Sequence, residues 1–386
     1  MSHDHFDYII IGAGAAGLHL MHAMIGDSWF RDKRILILDK DTKSVNDRTW
    51  CFWEKGEGKW DKIACKVWQK GWFYNSSHSI DLSMYSYRYK MVRGIDFYDY
   101  GRNCVQEHSQ FSWVTGDVSD VNATDGNLAQ VICGDRKYTA NHVFDSRIPQ
   151  AFTDAKDNSV RVLQHFLGWF IETNEDVFNP DEFVMMDYRV KWKNETGFTY
   201  VLPYGKRNAL VEFTLFTPQL IPMEGYEGIL RKYLSGILKT DQYTIKETEY
   251  GVIPMSDYPF HRHHTERVTK IGTAGGWVKP SSGYSFKNAE RFSKKVVANI
   301  KAGNHPAKGI ATGRFRKYDT LFLDILQNRN ELGEGIFTQM YLNNPTSQIF
   351  KFLDEETTFI EDIKVISSFK PAPFQRALFK NWKKMI

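Results

Sequence analysis

One late stretch, Gly272-Thr-Ala-Gly-Gly-Trp-Val-Lys-Pro280-Ser-Ser-Gly283-Tyr-Ser-Phe286, constrains the fold most. It does so only together with an early one, Asp7-Tyr-Ile-Ile-Ile-Gly12-Ala13-Gly14-Ala-Ala-Gly17-Leu. The late stretch reads as a small-residue turn, a Pro/Gly-rich loop and the start of a helix from Phe286 to Ile300. The early one reads as a strand without a polar face, a glycine turn and a helix to about Ile25. Such a strand belongs in the middle of a parallel sheet covered on both sides. Gly12 makes the tight turn, Gly14 lets backbone approach a phosphate, and Gly17 lets the helix sit close to the strand. Brought together, two helix N-termini aim their positive ends into one crevice, one at a pyrophosphate and one at a cofactor ring.

A second buried strand, Arg34-Ile-Leu-Ile-Leu-Asp39, ends in an acid roughly twenty residues beyond Gly17, where the dinucleotide motif needs a carboxylate for a ribose hydroxyl. Gly12, Ala13, Gly14, Gly17, Asp39 and the adjoining Lys40 make one half of a cofactor site. Gly272, Thr273, Pro280, Gly283 and Tyr284 make the other. A lone G-x-G-x-x-G is as readily a helix cap or a chance turn. Strand, helix and acid in their places select nucleotide binding, and the second stretch selects FAD.

After the second strand comes a basic and aromatic cluster, Asn46-Asp-Arg48-Thr-Trp50-Cys-Phe-Trp53-Glu54, in a region that lies over the cofactor in flavoproteins of this plan. Arg48 reads equally as a ligand of a phosphate or flavin oxygen and as half of a surface ion pair. Aromatics from Trp60 to Tyr89 suit short strands of a substrate-side sheet. Gly94 to Glu107 reads as a helix. It leads to a hairpin meander through Phe111–Thr115, Val118–Val121, Leu128–Cys133 and Lys137–Ala140. Asn141 to Asp145 is a further strand of the nucleotide domain, with Asp145 and Arg147 at its end as cofactor contacts or a turn ion pair. Strands at 163–172, 182–190, 198–203, 208–216 and 247–253 build a broad antiparallel sheet with a substrate on its concave face.

The expected architecture is α/β. A Rossmann-like FAD-binding domain (1–60, 94–160 and 265–310) is interleaved with an antiparallel-sheet substrate domain (61–93 and 161–264), and a helical part (311–386) follows. At 386 residues the chain exceeds one core, in keeping with two domains. A formal charge of +4, and no basic patch with interleaved aromatics before the last helix, argue against nucleic acid. Cys51, Cys65, Cys104 and Cys133 lack C-x-x-C spacing and read as reduced cytosolic thiols, with no zinc site. The His261-Arg-His263-His264 cluster reads as a solvated loop, so no metal is expected. Tyr8 to Ile25 is too interrupted, and too acidic in front, to be a span or signal peptide. In the last helix Phe374, Ala377, Leu378, Trp382 and Met385 share a face, with Arg376, Lys380, Lys383 and Lys384 mostly elsewhere. That pattern is either a basic interfacial helix or a terminal helix docked on its own domain.

These motifs, in this order, resemble the flavin-dependent lycopene cyclases of the bacterial β-cyclase type nearly end to end. The resemblance rests on the Gly12 turn, Arg48-Thr-Trp-Cys-Phe52, Gln164-His-Phe-Leu-Gly-Trp169, Met186-Asp187-Tyr-Arg189, Tyr200-Val-Leu-Pro203, Leu210-Val-Glu212-Phe213-Thr214 and the Gly272 to Ser285 stretch. It implies a redox-neutral cyclisation of lycopene, or a related linear C40 carotenoid, to β-ionone rings, with reduced FAD and NAD(P)H as its external reductant. A cytoplasmic enzyme peripherally attached to a membrane surface follows from that substrate; no protein partner can be read from the sequence. The family's phenylalanine-leucine-glutamate-glutamate-threonine motif puts its first glutamate on Glu212. Its second is Phe213 here.

Protonating a carbon–carbon double bond needs an acid still protonated near neutrality, whereas a free Glu titrates near 4. Glu212 lies in the apolar run Ala209 to Phe216, where loss of solvation raises its pKa, and strand alternation puts it beside Leu210 and Thr214. Asp187 and Glu54 are secondary candidates for a proton relay. The rival readings are an FAD/NAD(P)H-dependent monooxygenase or polyprenyl reductase on the same scaffold, and a non-catalytic lipid carrier. Flavin hydroxylases of related architecture carry Gly-Asp-Ala where this chain has Gly272-Thr273-Ala274, which disfavours the first.

Overall fold

The computed structural model describes residues 4–123 and 128–385; the side chain of Met385, one of the last helix's apolar face, lies outside the described set. The chain opens with β1 (Asp4–Ile11), α1 (Ala15–Ile25) and β2 (Ile35–Asp39). Five strands follow: β3 (Thr49–Lys55), β4 (Lys66–Trp68), β5 (Lys70–Tyr74), β6 (Ser79–Ser83) and β7 (Tyr87–Arg93). Helix α2 (Gly94–Glu107) then leads to β8 (Phe111–Thr115), β9 (Val118–Ala123), β10 (Ala129–Cys133) and β11 (Arg136–Asp145). After the short α3 (Gln150–Thr153) come β12 (Arg161–Thr173), β13 (Glu182–Asp187), β14 (Gly197–Pro203) and β15 (Asn208–Thr217). Helix α4 (Met223–Gly236), β16 (Tyr243–Ser256), β17 (Val268–Lys270) and α5 (Phe286–Lys301) complete the α/β part. The rest is helical: α6 (Arg314–Asn328), α7 (Gly333–Asn343), α8 (Thr346–Leu353), α9 (Phe359–Ser367), α10 (Pro371–Lys380) and α11 (Trp382–Met385).

The first sheet runs β8-β2-β1-β11-β10-β9, with β17 also paired to β11. Its centre is parallel, as the apolar runs Tyr8–Ile11 of β1 and Ile35–Leu38 of β2 require. Two expectations are corrected here. Phe111–Thr115 does not join a meander; β8 lies parallel to β2, because α2 carries the chain across the sheet before it and a crossover returns a strand in the same direction. Residues 137–140 and 141–145 are one strand, β11, whose first half holds the antiparallel β9-β10 flap while residues 138–145 pair with β1.

The second sheet runs β16-β12-β15-β14-β13-β5-β6, antiparallel except where β13 meets β5. Of the aromatic segment before α2, only β5 and β6 enter this sheet. Strands β4 and β7 join β3 in a small separate one. Both faces of the second sheet are covered, so its strands alternate between two apolar environments. On one side Val211, Phe213 and Leu215 pack with Tyr226, Leu230 and Tyr233 of α4. On the other, Phe198 and Phe216 pack with Phe337, Met340 and Tyr341 of α7 and with Phe350 of α8. Among the described residues no helix is long and apolar enough to cross a membrane.

Candidate active site

The loop between β17 and α5 lies where the two large sheets meet, and a cavity of about 350 Å³ opens beside it. Gly272 takes φ +61°, and a Cβ there would stand 3.1 Å from Ala16 Cβ, so this turn is seated on the first turn of α1. Gly283 takes φ +72°, and a Cβ there would stand 1.7 Å from Gln164 Oε1. That Gln164 oxygen is buried and has no protein partner. The loop closes through Lys279 N–H donating to the Tyr284 carbonyl at 2.8 Å. Its buried ammonium pairs with Asp319 of α6 at 3.0 Å and with Glu355 at 3.2 Å. No side chain caps the N-terminus of α5, so the free N–H groups of its first turn sit beside the cavity wall formed by Gly283 to Phe286.

Two carboxylates line the cavity from the second sheet. In the strand register Gly168 of β12 stands opposite Glu212 of β15 on one side and opposite Glu249 of β16 on the other. The two acids therefore face the same way, two strand spacings apart, across a residue without a side chain. A Cβ at Gly168 would come within 2.9 Å of Leu210 Cδ1 and 3.4 Å of Glu212 Cβ and Cγ. Glu212 is half-buried and accepts a hydrogen bond from Thr214 Oγ1 at 2.9 Å. Burial, aided by the charge of Glu249, pushes its pKa up to about 8. Glu249 is also raised, first by burial. It accepts from the Thr49 N–H and from Thr49 Oγ1, each at 2.7 Å. Those two bonds favour its ionised form, so the pair gives up its first proton from Glu249 and keeps the second on Glu212.

The lycopene cyclase protein model matches residues 7–379 of the chain. The chain belongs to the lycopene cyclase family. No curated protein matches it. Among solved structures, a geranylgeranyl bacteriochlorophyll reductase-like protein from Thermoplasma acidophilum superposes with a TM-score of 0.60 at 11% identity, over 99% of this chain and 100% of that one. The flavin-dependent brominase Bmp2 gives 0.57 at 14%, over 98% and 100%. The halogenase PltM, solved with phloroglucinol and FAD, gives 0.58 at 13%, over 97% and 86%. At these identities the likeness is one of fold: an α/β architecture of the FAD-dependent oxidoreductase and halogenase kind, with mixed and antiparallel sheets and C-terminal helices.

Of the residues singled out in this lycopene cyclase family sequence, Glu212, Arg48, Thr273, Gly283 and Tyr284 line the cavity together. Gly12, Ala13, Gly14 and Gly17 form the β1–α1 turn. A Cβ at Gly17 would meet the Gly12 carbonyl oxygen at 1.9 Å, while one at Gly14 would meet nothing within 4 Å. Asp39 accepts from the Ala13 N–H at 2.6 Å, bracing that turn from the end of β2. Lys40 is exposed beside it, and Pro280 is buried within the loop. Arg48 lines the cavity and also donates to Asp47 at 3.0 Å, the ion-pair reading. Asp145 is taken up by Arg147 at 3.0 Å and Lys270 at 2.7 Å, the turn ion-pair alternative.

The relay candidates are engaged elsewhere. Asp187 is clamped by Arg189 and accepts from Tyr233 Oη at 2.7 Å, and Glu54 pairs with Lys90 at 3.0 Å and Lys287 at 3.2 Å. His263 bonds Tyr258 Oη at 2.7 Å, and His264 accepts from the Lys270 N–H at 3.1 Å.

Sequence reasoning missed Glu249. It lies beside Lys246, Glu247 and Thr248 at the start of the strand expected over 247–253, and only the pairing register carries it to Glu212. Phe213, by contrast, loses its apparent significance. Adjacent strand residues face opposite ways, and Phe213 is wholly buried under α4. A carboxylate at 213 would not have reached the cavity.

Proposed function

We propose that the chain cyclises the ψ-end groups of lycopene, or of a closely related linear C40 polyene, to β-ionone rings without net redox change. The observation that carries this reading is Glu212, its pKa raised by burial, on the wall of the same cavity as the glycine loop and the α5 N-terminus. Glu212 gives its proton to the terminal double bond of the polyene. An internal double bond attacks the resulting cation and closes the six-membered ring, and the ring returns a proton to the carboxylate pair of Glu212 and Glu249, which restores the acid, so atoms balance as an isomerisation. Charge on Glu249, favoured by its two bonds from Thr49, helps hold the proton on Glu212 until a double bond is in reach. Leu210, Leu202 and Phe166 line the same wall and exclude water that would quench a cation.

The residues fit FAD. There is open space over Gly14, an unpartnered buried acceptor at Gln164, and two turns seated against each other at Gly272 and Ala16. Gly12 to Gly17 with Asp39 and Lys40 would hold the nucleotide, and Arg48, Thr273, Pro280, Gly283 and Tyr284 the flavin end. Held there in reduced form, with external NAD(P)H as its reductant, FAD would supply negative charge beside a cation and would pass no electrons to product. The α5 N-terminus favours that charge. A hydrocarbon substrate is met at a membrane surface, which makes the protein a peripheral cytoplasmic one.

Expression in cells that accumulate lycopene tests the whole reading. The expected product is a β-ring carotenoid, with no stoichiometric NAD(P)H consumption and with loss of product in Glu212→Gln. An unchanged rate in that variant removes the acid from the scheme, and NAD(P)H consumed in step with product replaces it by the monooxygenase or reductase reading.

A further inference from the structure

A second cavity, of about 120 Å³ and almost wholly apolar, lies between the second sheet and the C-terminal helices. Tyr200 and Tyr284 line it and also line the carboxylate cavity, so the two compartments share a wall of two phenols. Away from that wall the lining changes from buried side chains to half-buried ones: Phe322, Phe352, Ile366, Phe369 and Phe374. These come from α6, α8, α9, the link into α10, and α10 itself.

The same terminal helices carry large apolar side chains on their outer surface. Ile360 is 71% exposed, Phe379 89% and Trp382 56%, with Phe359, Ile363 and Leu378 exposed around them. Charge there is of one sign. Residues 363–386 hold six Lys or Arg and no Asp or Glu. Lys380 and Lys384 are spent on Asp324 and Asp257. Lys364, Lys370, Arg376 and Lys383 form no ion pair among the described residues. The acids just before this segment are already neutralised, Glu361 by Lys351 and Asp362 by Arg314.

We infer that the outer surface of α9 to α11 is a docking face for an anionic lipid bilayer, seated over the apolar cavity. Exposed Phe, Ile and Trp beside unpaired basic residues form the pattern that sinks into the headgroup boundary of such a membrane. Of the last helix's expected face Phe374 and Ala377 dock inward while Leu378 and Trp382 stay outside, with Phe379 exposed beside them. A second copy of the chain is the poorer occupant, because a two-fold contact sets the same cationic patch against itself. The proposed function already puts the protein at a membrane; this inference rests on that reading only for the hydrocarbon in the cavity, and names the face that docks and the lipid charge it takes.

The test is co-sedimentation of the full chain with carotenoid-free vesicles of phosphatidylcholine, with and without phosphatidylglycerol. Wild type is expected to bind the anionic vesicles more tightly and to be partly released by salt. Combined Lys364→Gln, Lys370→Gln, Arg376→Gln and Lys383→Gln changes are expected to weaken that binding about hundredfold. Phe379→Ser with Ile360→Ser is expected to weaken it about tenfold or more on either vesicle, at an unchanged melting temperature. Wild type that ignores vesicles, or variants that bind as wild type does, overturn the inference. So does a wild-type dimer that the patch variants turn into monomer. Turnover of detergent-dispersed lycopene is measured separately. A chain that binds vesicles but forms no rings keeps the docking face and loses the cyclase reading, and the reverse outcome does the opposite.

Discussion

Replacing Glu249 by Gln removes one negative charge from the cavity while keeping an acceptor for the Thr49 N–H. Glu212 and Glu249 each stand opposite Gly168, so they are two strand spacings apart, about 9.5 Å. At an effective dielectric of about 20, two unit charges at that distance repel by about 1.7 kcal/mol, or about one pH unit of titration. Burial, the larger cause of the raised Glu212 pKa, is untouched by the change. Glu212 therefore titrates near 7 in the variant instead of about 8. A general acid works only while protonated, so the activity lost as pH rises is lost earlier. The pH profile of kcat/KM on lycopene reads this directly. Glu249→Gln is expected to run about fivefold below wild type at about pH 8 and close to it at about pH 6. Glu249→Asp, which keeps the charge, should leave the alkaline limb near its wild-type position. An alkaline limb that stays put in Glu249→Gln, or moves upward, refutes the coupling. A uniform loss at every pH refutes it differently, by giving Glu249 a direct part in the chemistry.

Gly168→Ala puts a methyl group into the gap between the acids and against Leu210 Cδ1; stability should fall by about 1–2 kcal/mol in a denaturant titration, with a proportionally larger loss of turnover. Phe213→Glu, which restores the family's second motif carboxylate, should lower stability by more than about 3 kcal/mol and give no gain in rate, because the new group is buried under α4 without a partner. Glu212→Gln should stabilise the fold increasingly as pH rises. The wild-type carboxyl binds its proton more tightly when folded, so wild type loses stability as pH climbs from the unfolded value near 4.3 through about 8, while the Gln variant does not. Melting temperatures at about pH 5 and about pH 9 should diverge accordingly.

What was legible in the sequence was local. The Gly12 turn, the buried β1 and β2 and helix α5 announce themselves through spacing, because a tight turn and a covered strand each demand particular residues at particular steps, whereas Glu212 is marked only by its likeness to the family motif. What was illegible depends on pairing between distant segments. The place of β8 beside β2, the splitting of residues 60–93 between two sheets, and the meeting of Glu212 with Glu249 are decided by which strands become neighbours. Phe213 teaches the same lesson. As a letter in a motif it looked like a missing catalytic group, but a strand of period two sends it to the far side of the sheet. The partners of Asp187 and Asp145 likewise emerge only once Arg189, Tyr233 and Lys270 are folded onto them.

The ammonium of Lys279 has a consequence for the chain as a whole. It is sunk in the loop ahead of α5, and both of its counter-charges come from beyond residue 310. A fragment ending after α5 would strand a cation in a dry place, a defect costing about 3–5 kcal/mol. The nucleotide module and the terminal helices are thus soldered at one atom, and neither should be expected to survive as a separately expressed piece.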